Sequence, residues 1–166
     1  MSTRRPDLKA LMAGKSPLTL AVAESMTCGH VQALIGAISG ASDFFLGGIT
    51  AYTLDQKVEH LGVSRAGARK VNSVAPAIAE QMAKGVCALF GSDIGVATTG
   101  YAEPSSANKI SEPFAWWALA HRQRGRVIAL RNGRIECVEA TRVEAQRIVA
   151  EAVLAELTEY LREWRG

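Results

Sequence analysis

Residues Leu18 to Ile38 constrain the fold of this chain more than any other stretch. The run from Leu18 to Ala23 is apolar enough to be a buried strand. It breaks into Glu24-Ser25-Met26-Thr27-Cys28-Gly29-His30, then resumes at helical spacing with Val31, Leu34, Ile35 and Ile38 on one face. A strand, a polar turn and a helix make half of a βαβ unit, and in open α/β sheets ligands sit outside the carboxyl ends of such strands. The helix start offers unpaired N–H groups and the positive end of its dipole, which suit an anion or a developing oxyanion. Ser25 is a candidate nucleophile there and Thr27 a candidate N-cap. A plain capping role for both hydroxyls is the competing reading, because Ser and Thr are favoured caps in any helix.

The rest of the chain extends this pattern. Arg5 to Met12 is expected as a short helix, ended by Lys15-Ser16-Pro17 because the residue before a proline leaves the α region. A helix from Cys28 to Ile38 follows the first strand. Phe44, Phe45 and Leu46 are expected to pack as a hydrophobic plug, Gly48 to Thr53 as a strand, and Leu54 to Leu61 as a helix stopped at Gly62. Ser64 to Val71 is another short helix. Asn72 or Ser73 should cap a longer one over Ala75 to Phe90, with Ile78, Met82, Val86 and Leu89 on its apolar stripe. Ile94 to Thr99 is a near-continuous apolar strand ending in a second polar turn, Thr99-Gly100-Tyr101-Ala102-Glu103-Pro104. After the polar loop Ser105 to Pro113, Phe114 to Ala120 is a strand. Val127 to Leu130 and Ile135 to Val138 are expected as two more around an Asn132-Gly133 hairpin signal. Thr141 should cap a last long helix that buries Ile148, Val149, Val153, Leu157, Tyr160, Leu161 and Trp164. Trp116 and Trp117 are adjacent on a strand and point to opposite faces, so both faces of the sheet should be covered. This order predicts one α/β domain over 1–166: a three-layer α/β/α sandwich with a mixed sheet of roughly five strands.

Composition narrows the function classes. A net charge of +3 over 166 residues, with the basic residues scattered, argues against a nucleic-acid partner. Three widely spaced cysteines fit a reducing, cytoplasmic setting and form no CxxC pair, and His30, His60 and His121 lack ligand spacing, so neither a metal nor another cofactor is expected. Met1 to Leu11 carries charges without an apolar centre, so no signal peptide is expected, and no apolar run reaches membrane-spanning length.

Ser25, Lys57 and Tyr52 offer a route to nucleophilic chemistry without histidine. A lysine can take a serine proton once burial or nearby positive charge lowers its pKa from about 10.4 towards neutrality. A solvated helix lysine and an edge-of-core tyrosine are the plain alternatives.

Glu24-Ser25-Met26-Thr27-Cys28-Gly29, then Tyr52 and Lys57, then Thr99-Gly100-Tyr101-Ala102-Glu103-Pro104 resemble the CinA C-terminal-domain family, whose active members are nicotinamide mononucleotide deamidases. The family pattern is E-S-C-T-G-G, a later T-Y-S-N-x-x-K, and T-G-I-A-G-P. The resemblance runs from about Leu20 through Ala120 and more loosely into the last helix. It implies an α/β/α domain, a metal-free Ser/Lys amidohydrolase acting on a pyridine nucleotide or related amide, and a homodimer or higher homo-oligomer. Ser25 then matches the nucleophile, Lys57 the general base and Tyr52 its supporting hydroxyl. Thr27, Cys28, Gly29, Thr99, Gly100 and Glu103 fall on the substrate-binding loops, and Arg142 near an arginine suited to a substrate phosphate.

The chain departs from that pattern where the loops would cradle substrate. Cys28, Glu103 and Ala115 replace glycines, Met26 a cysteine, Tyr101 an isoleucine and Trp116 a threonine, while Ser105, Ser106 and Ala107 replace the glycines after Pro104. A carboxylate at Glu103 should repel a substrate phosphate unless a cation lies between them. Weak or absent turnover of the mononucleotide is therefore expected, with improved binding in Glu103→Gly alone or with Cys28→Gly. The alternative is a non-catalytic homologue that binds a small ligand or partner protein through an altered pocket. Dinucleotide binding is disfavoured because no GxGxxG follows the first strand.

Overall fold

The computed structural model describes residues 8–166. Residues 5–7, where the first helix was expected to begin, lie outside the described residues, and α1 spans Leu8–Ala13. Then come β1 (Leu20–Glu24), α2 (His30–Gly36), β2 (Phe45–Thr50), α3 (Leu54–Leu61), α4 (Arg65–Lys70) and α5 (Pro76–Phe90). The second half holds β3 (Ile94–Tyr101), β4 (Phe114–Gln123), β5 (Arg126–Glu136) and α6 (Arg142–Arg165). The five strands form one mixed sheet in the order β2-β1-β3-β4-β5. β1 runs parallel to both β2 and β3, while β3–β4 and β4–β5 are antiparallel.

Side-chain size alternates along the central strands, and this sets the two layers. One face carries Leu20, Val22, Ile94, Val96, Trp117 and Leu119, packed against α1, α2 and α6. The other carries Ala21, Ala23, Ala97, Ala118 and Ala120 under α3, α4 and α5. Small residues let α5 approach closely: a Cβ on Gly95 would lie 2.2 Å from the Ala83 carbonyl oxygen. Trp116 packs on the alanine side and Trp117 on the other, so helices cover both faces as the adjacent tryptophans require.

α3, which bears Lys57, is held against α5 by the same device. A Cβ on Gly85 would stand 2.0 Å from the Leu61 carbonyl oxygen. Gly85→Ala is expected to lower stability by about 1–3 kcal/mol in urea titrations, because the backbone contact must open. The roughly 1 kcal/mol gained in helix propensity does not offset that.

Several boundaries differ from the sequence reading. β5 is one continuous strand, and the β4–β5 turn is Arg124-Gly125, with φ 51° and 76°. Two successive left-handed residues suit a tight hairpin. Asn132-Gly133 instead lies within β5, where Gly133 faces Trp117 and leaves room for its indole; a Cβ would sit 2.6 Å from Nε1. β2 begins at Phe45 rather than Gly48, leaving only Phe44 of the expected plug buried and Leu46 exposed. α2 starts at His30, two residues later than expected, and ends at Gly36. The boundary residue of α5 is Ala75, not Asn72 or Ser73, because Pro76 holds the residue before it extended. Leu89, Ile148 and Trp164 are exposed, and alanines take their places: Ala79 and Ala83 in α5, Ala145 and Ala150 in α6. Thr141 caps α6 as expected, through a reciprocal capping box with Glu144. Among the described residues no helix is long and apolar enough to cross a membrane.

Candidate active site

The carboxyl ends of β1 and β3 lie side by side, tied by a 3.1 Å hydrogen bond from the Ser25 N–H to the Thr98 carbonyl. A cleft of about 490 Å³ opens there. Ser25 leaves β1 at its floor, and Lys57 enters from the first turn of α3. Thr99 and the turn after β3 form one wall and residues 72–74 another, with Tyr52, Glu103 and Arg142 at the mouth.

Lys57 is the most unusual group in the cleft. Its side chain is only 2% exposed. Nζ lies 2.8 Å from Ser25 Oγ and donates to the Tyr52 carbonyl oxygen at 2.7 Å. Burial lowers its pKa from 10.5 to about 8, so a usable fraction is neutral near pH 7. A neutral amine with one donor bond to a carbonyl has a lone pair free to accept the serine proton.

Glu24, which was not singled out from the sequence, positions Ser25. Its carboxylate is fully buried at the start of α2. Oε1 accepts from the Thr27 hydroxyl at 2.6 Å and the Val31 N–H at 2.8 Å; Oε2 accepts from the Gln32 N–H at 3.1 Å and Gln32 Nε2 at 2.9 Å. This carboxylate, rather than Thr27, satisfies the free amides of α2 and complements its dipole. The signal was available in sequence: an acidic residue seven positions before Val31, at the strand end. The turn that Glu24 anchors leaves the Met26 and Thr27 N–H groups without partners among the described residues, while the Cys28 N–H bonds to the Ser25 carbonyl.

Ser25, Lys57, Tyr52, Thr99, Gly100, Glu103 and Arg142 all line the cleft; Thr27, Cys28 and Gly29 do not. The Thr27 hydroxyl turns inward to Glu24 and Thr98. Cys28 and Gly29 adopt φ 46° and 94° and form the left-handed turn into α2. A glycine preference at position 28 is thus a matter of backbone conformation, and Cys28 sits exposed outside the cleft rather than obstructing it. Gly100 serves packing as well as the cleft, since a Cβ would meet the Phe114 carbonyl oxygen of β4 at 2.3 Å. The Thr99 hydroxyl donates to the Ser73 carbonyl at 2.7 Å. The Tyr52 hydroxyl is turned away from Lys57 and accepts from Arg142 Nη2 at 2.7 Å; only its backbone carbonyl meets the lysine. Arg142 Nη1 pairs with Glu103 at 2.7 Å. No cluster of His, Cys, Asp and Glu suited to a metal ion occurs among the described residues.

Comparison with known proteins shows the family and the fold. The chain is 34% identical over 157 residues to a CinA-like protein of Chlorobium limicola, covering 93% of this chain and 36% of that protein. It is 49% identical over 88 residues to a CinA-like protein of Picosynechococcus, covering 53% of this chain and 21% of that one. The chain therefore spans about a third or less of the length of these curated relatives. Among solved structures, competence damage-inducible protein A from Klebsiella pneumoniae superposes with a TM-score of 0.81 at 26% identity, covering 94% of this chain and 92% of that one. Competence/damage inducible protein CihA from Agrobacterium tumefaciens superposes with a TM-score of 0.76 at 25% identity, covering 87% and 86%. The sequence profile of the CinA C-terminal domain matches residues 7–161, nearly the whole chain, and the chain belongs to that family.

Proposed function

We propose that this domain is an amidohydrolase of the nicotinamide-nucleotide deamidase type, acting on the carboxamide of a pyridine nucleotide or a related small amide. The observation that carries the reading is the 2.8 Å contact between Lys57 Nζ and Ser25 Oγ, both buried, with the lysine pKa lowered to about 8. Ser25 Oγ attacks the carboxamide carbon as Lys57 takes its proton. The Met26 N–H, which lines the cleft and has no partner among the described residues, stabilises the oxyanion. The C–N bond then breaks, the Lys57 proton goes to the leaving nitrogen, and ammonia departs. Water, deprotonated by Lys57, hydrolyses the acyl-serine to the carboxylic acid and regenerates Ser25.

An ammonia-release assay across pyridine nucleotides, pyridine ribosides and small amides tests this. Native protein is expected to release ammonia stoichiometrically with the acid, and Ser25→Ala to lose about three orders of magnitude or more in kcat. The absence of release from every amide, with the fold intact by circular dichroism, would replace this reading by that of a non-catalytic homologue.

A further inference from the structure

The amidohydrolase reading leaves open what body carries the amide, and the mouth of the cleft bears on that. Three of its lining residues are Lys, Arg, Asp or Glu: Lys57, Glu103 and Arg142. Lys57 lies at the reacting end and is committed to Ser25 and the Tyr52 carbonyl. Arg142 is the cation that an incoming phosphate would need, yet both arms of its guanidinium are engaged: Nη1 with Glu103, Nη2 with the Tyr52 hydroxyl. Bidentate capture of a phosphate requires those arms. A phosphate would have to break the Glu103 pair and then sit near that carboxylate, whose backbone stays on the turn after β3 at the cleft.

Away from Glu103 and Arg142, Asn72 and the loop after β3 line the cleft with neutral hydrogen-bonding groups. Asn72 Nδ2 donates to the Tyr101 hydroxyl at 3.1 Å and to Asn108 Oδ1 at 3.3 Å, and Asn108 Nδ2 donates to Ser105 Oγ at 2.9 Å. Asn72 and Ser73 hold φ 48° and 60°, a conformation uncommon for residues other than glycine, and Thr99 clamps it through the Ser73 carbonyl. Amides and hydroxyls that both donate and accept suit the hydroxyls of a sugar.

We propose that the site takes a carboxamide on a hydroxyl-bearing, phosphate-free body, a riboside rather than a nucleotide, and that the Glu103–Arg142 pair is the element that rejects the phosphate. Glu103 is the specificity determinant, with Arg142 as its counter-ion and Asn72 and Asn108 as the sugar-facing groups. The proposal rests on the amidohydrolase reading for its amide. Its test is read by binding, so that the two can fail separately.

Dissociation constants for nicotinamide riboside and its 5′-monophosphate are measured by calorimetry at fixed ionic strength in the Ser25→Ala background, with turnover of both compounds followed in the native protein. The riboside is expected to bind at least about tenfold more tightly than the monophosphate. Glu103→Gln should largely erase that ratio, tightening the monophosphate by about tenfold or more and moving the riboside by less than about threefold. Adding Arg142→Gln to Glu103→Gln should abolish the gain, and melting curves confirm that each variant is folded. Glu103→Gly serves in place of Glu103→Gln if the latter melts early. A native monophosphate affinity equal to or above that of the riboside, an unchanged ratio in both Glu103 variants, or binding of neither compound would each overturn the proposal. The expected binding pattern without ammonia release would leave this specificity standing and sink the amidohydrolase reading. Ammonia release from other amides, with neither compound bound, would do the reverse.

Discussion

Lys57→Met is expected to lower kcat for amide hydrolysis by about a thousandfold while leaving the domain folded. The lysine is the only amine within reach of Ser25 Oγ among the described residues, and a positioned general base contributes about 10²–10⁴ in rate. Methionine fills nearly the same buried volume without the charge. In native protein the rate should climb about tenfold per pH unit and level off above about pH 8, the value to which burial lowers this amine. That inflection should vanish in the variant.

Stability carries a second signature of the same group. The folded pKa of about 8 lies below the unfolded value of 10.5, so between these two pH values the unfolded chain binds more protons and native stability rises with pH. Below pH 8 the buried ammonium costs on the order of 3 kcal/mol, and the cost disappears as pH passes 10.5. Lys57→Met removes this pH dependence, which chemical denaturation from pH 7 to 10.5 would read directly. A variant that keeps kcat within a few-fold of native would rule out Lys57 as the base.

Glu24→Ala is expected to cost about 3–5 kcal/mol and to reduce kcat by more than about tenfold well below the melting temperature. The substitution strips the Val31 and Gln32 N–H groups of their acceptor inside the protein, and an unsatisfied buried donor costs about 1–3 kcal/mol. Glu24→Gln should recover only part of this, because each carboxylate oxygen accepts from two donors and an amide NH₂ would face one of those pairs. Since Glu24 acts by holding the Ser25 turn, the pH profile set by Lys57 should keep its inflection in the folded fraction while kcat falls. An inflection displaced by a full unit would mean instead that Glu24 tunes the lysine.

Local signals carried most of the elements. α3 has the bounds its apolar spacing and Gly62 imply, and Thr141 caps α6 with Glu144 three residues on. Where two local rules competed, neighbours in space chose between them. Asn132-Gly133 is a better hairpin signal than Arg124-Gly125, yet Trp117 needs the space over Gly133 and pulls that pair into β5. Leu89 has helical spacing with Val86, but the sheet beneath α5 is built of alanines and accepts the close face that carries Ala79, Ala83 and Cys87 instead.

The sequence by itself determined the strand–turn–helix that presents Ser25, the alternation of large and small residues that layers the sheet, and the family to which Ser25, Lys57 and Thr99 point. Those features depend on backbone propensity and periodicity, which act over a few residues. Only the tertiary structure decided what each side chain does. It turned Thr27 inward to Glu24, gave Lys57 the carbonyl rather than the hydroxyl of Tyr52, and joined Glu103 to Arg142 across the mouth of the cleft. Hydrogen bonds and ion pairs have a reach of about 3–4 Å, so their partners are set by which strand ends the sheet brings side by side, not by distance along the chain.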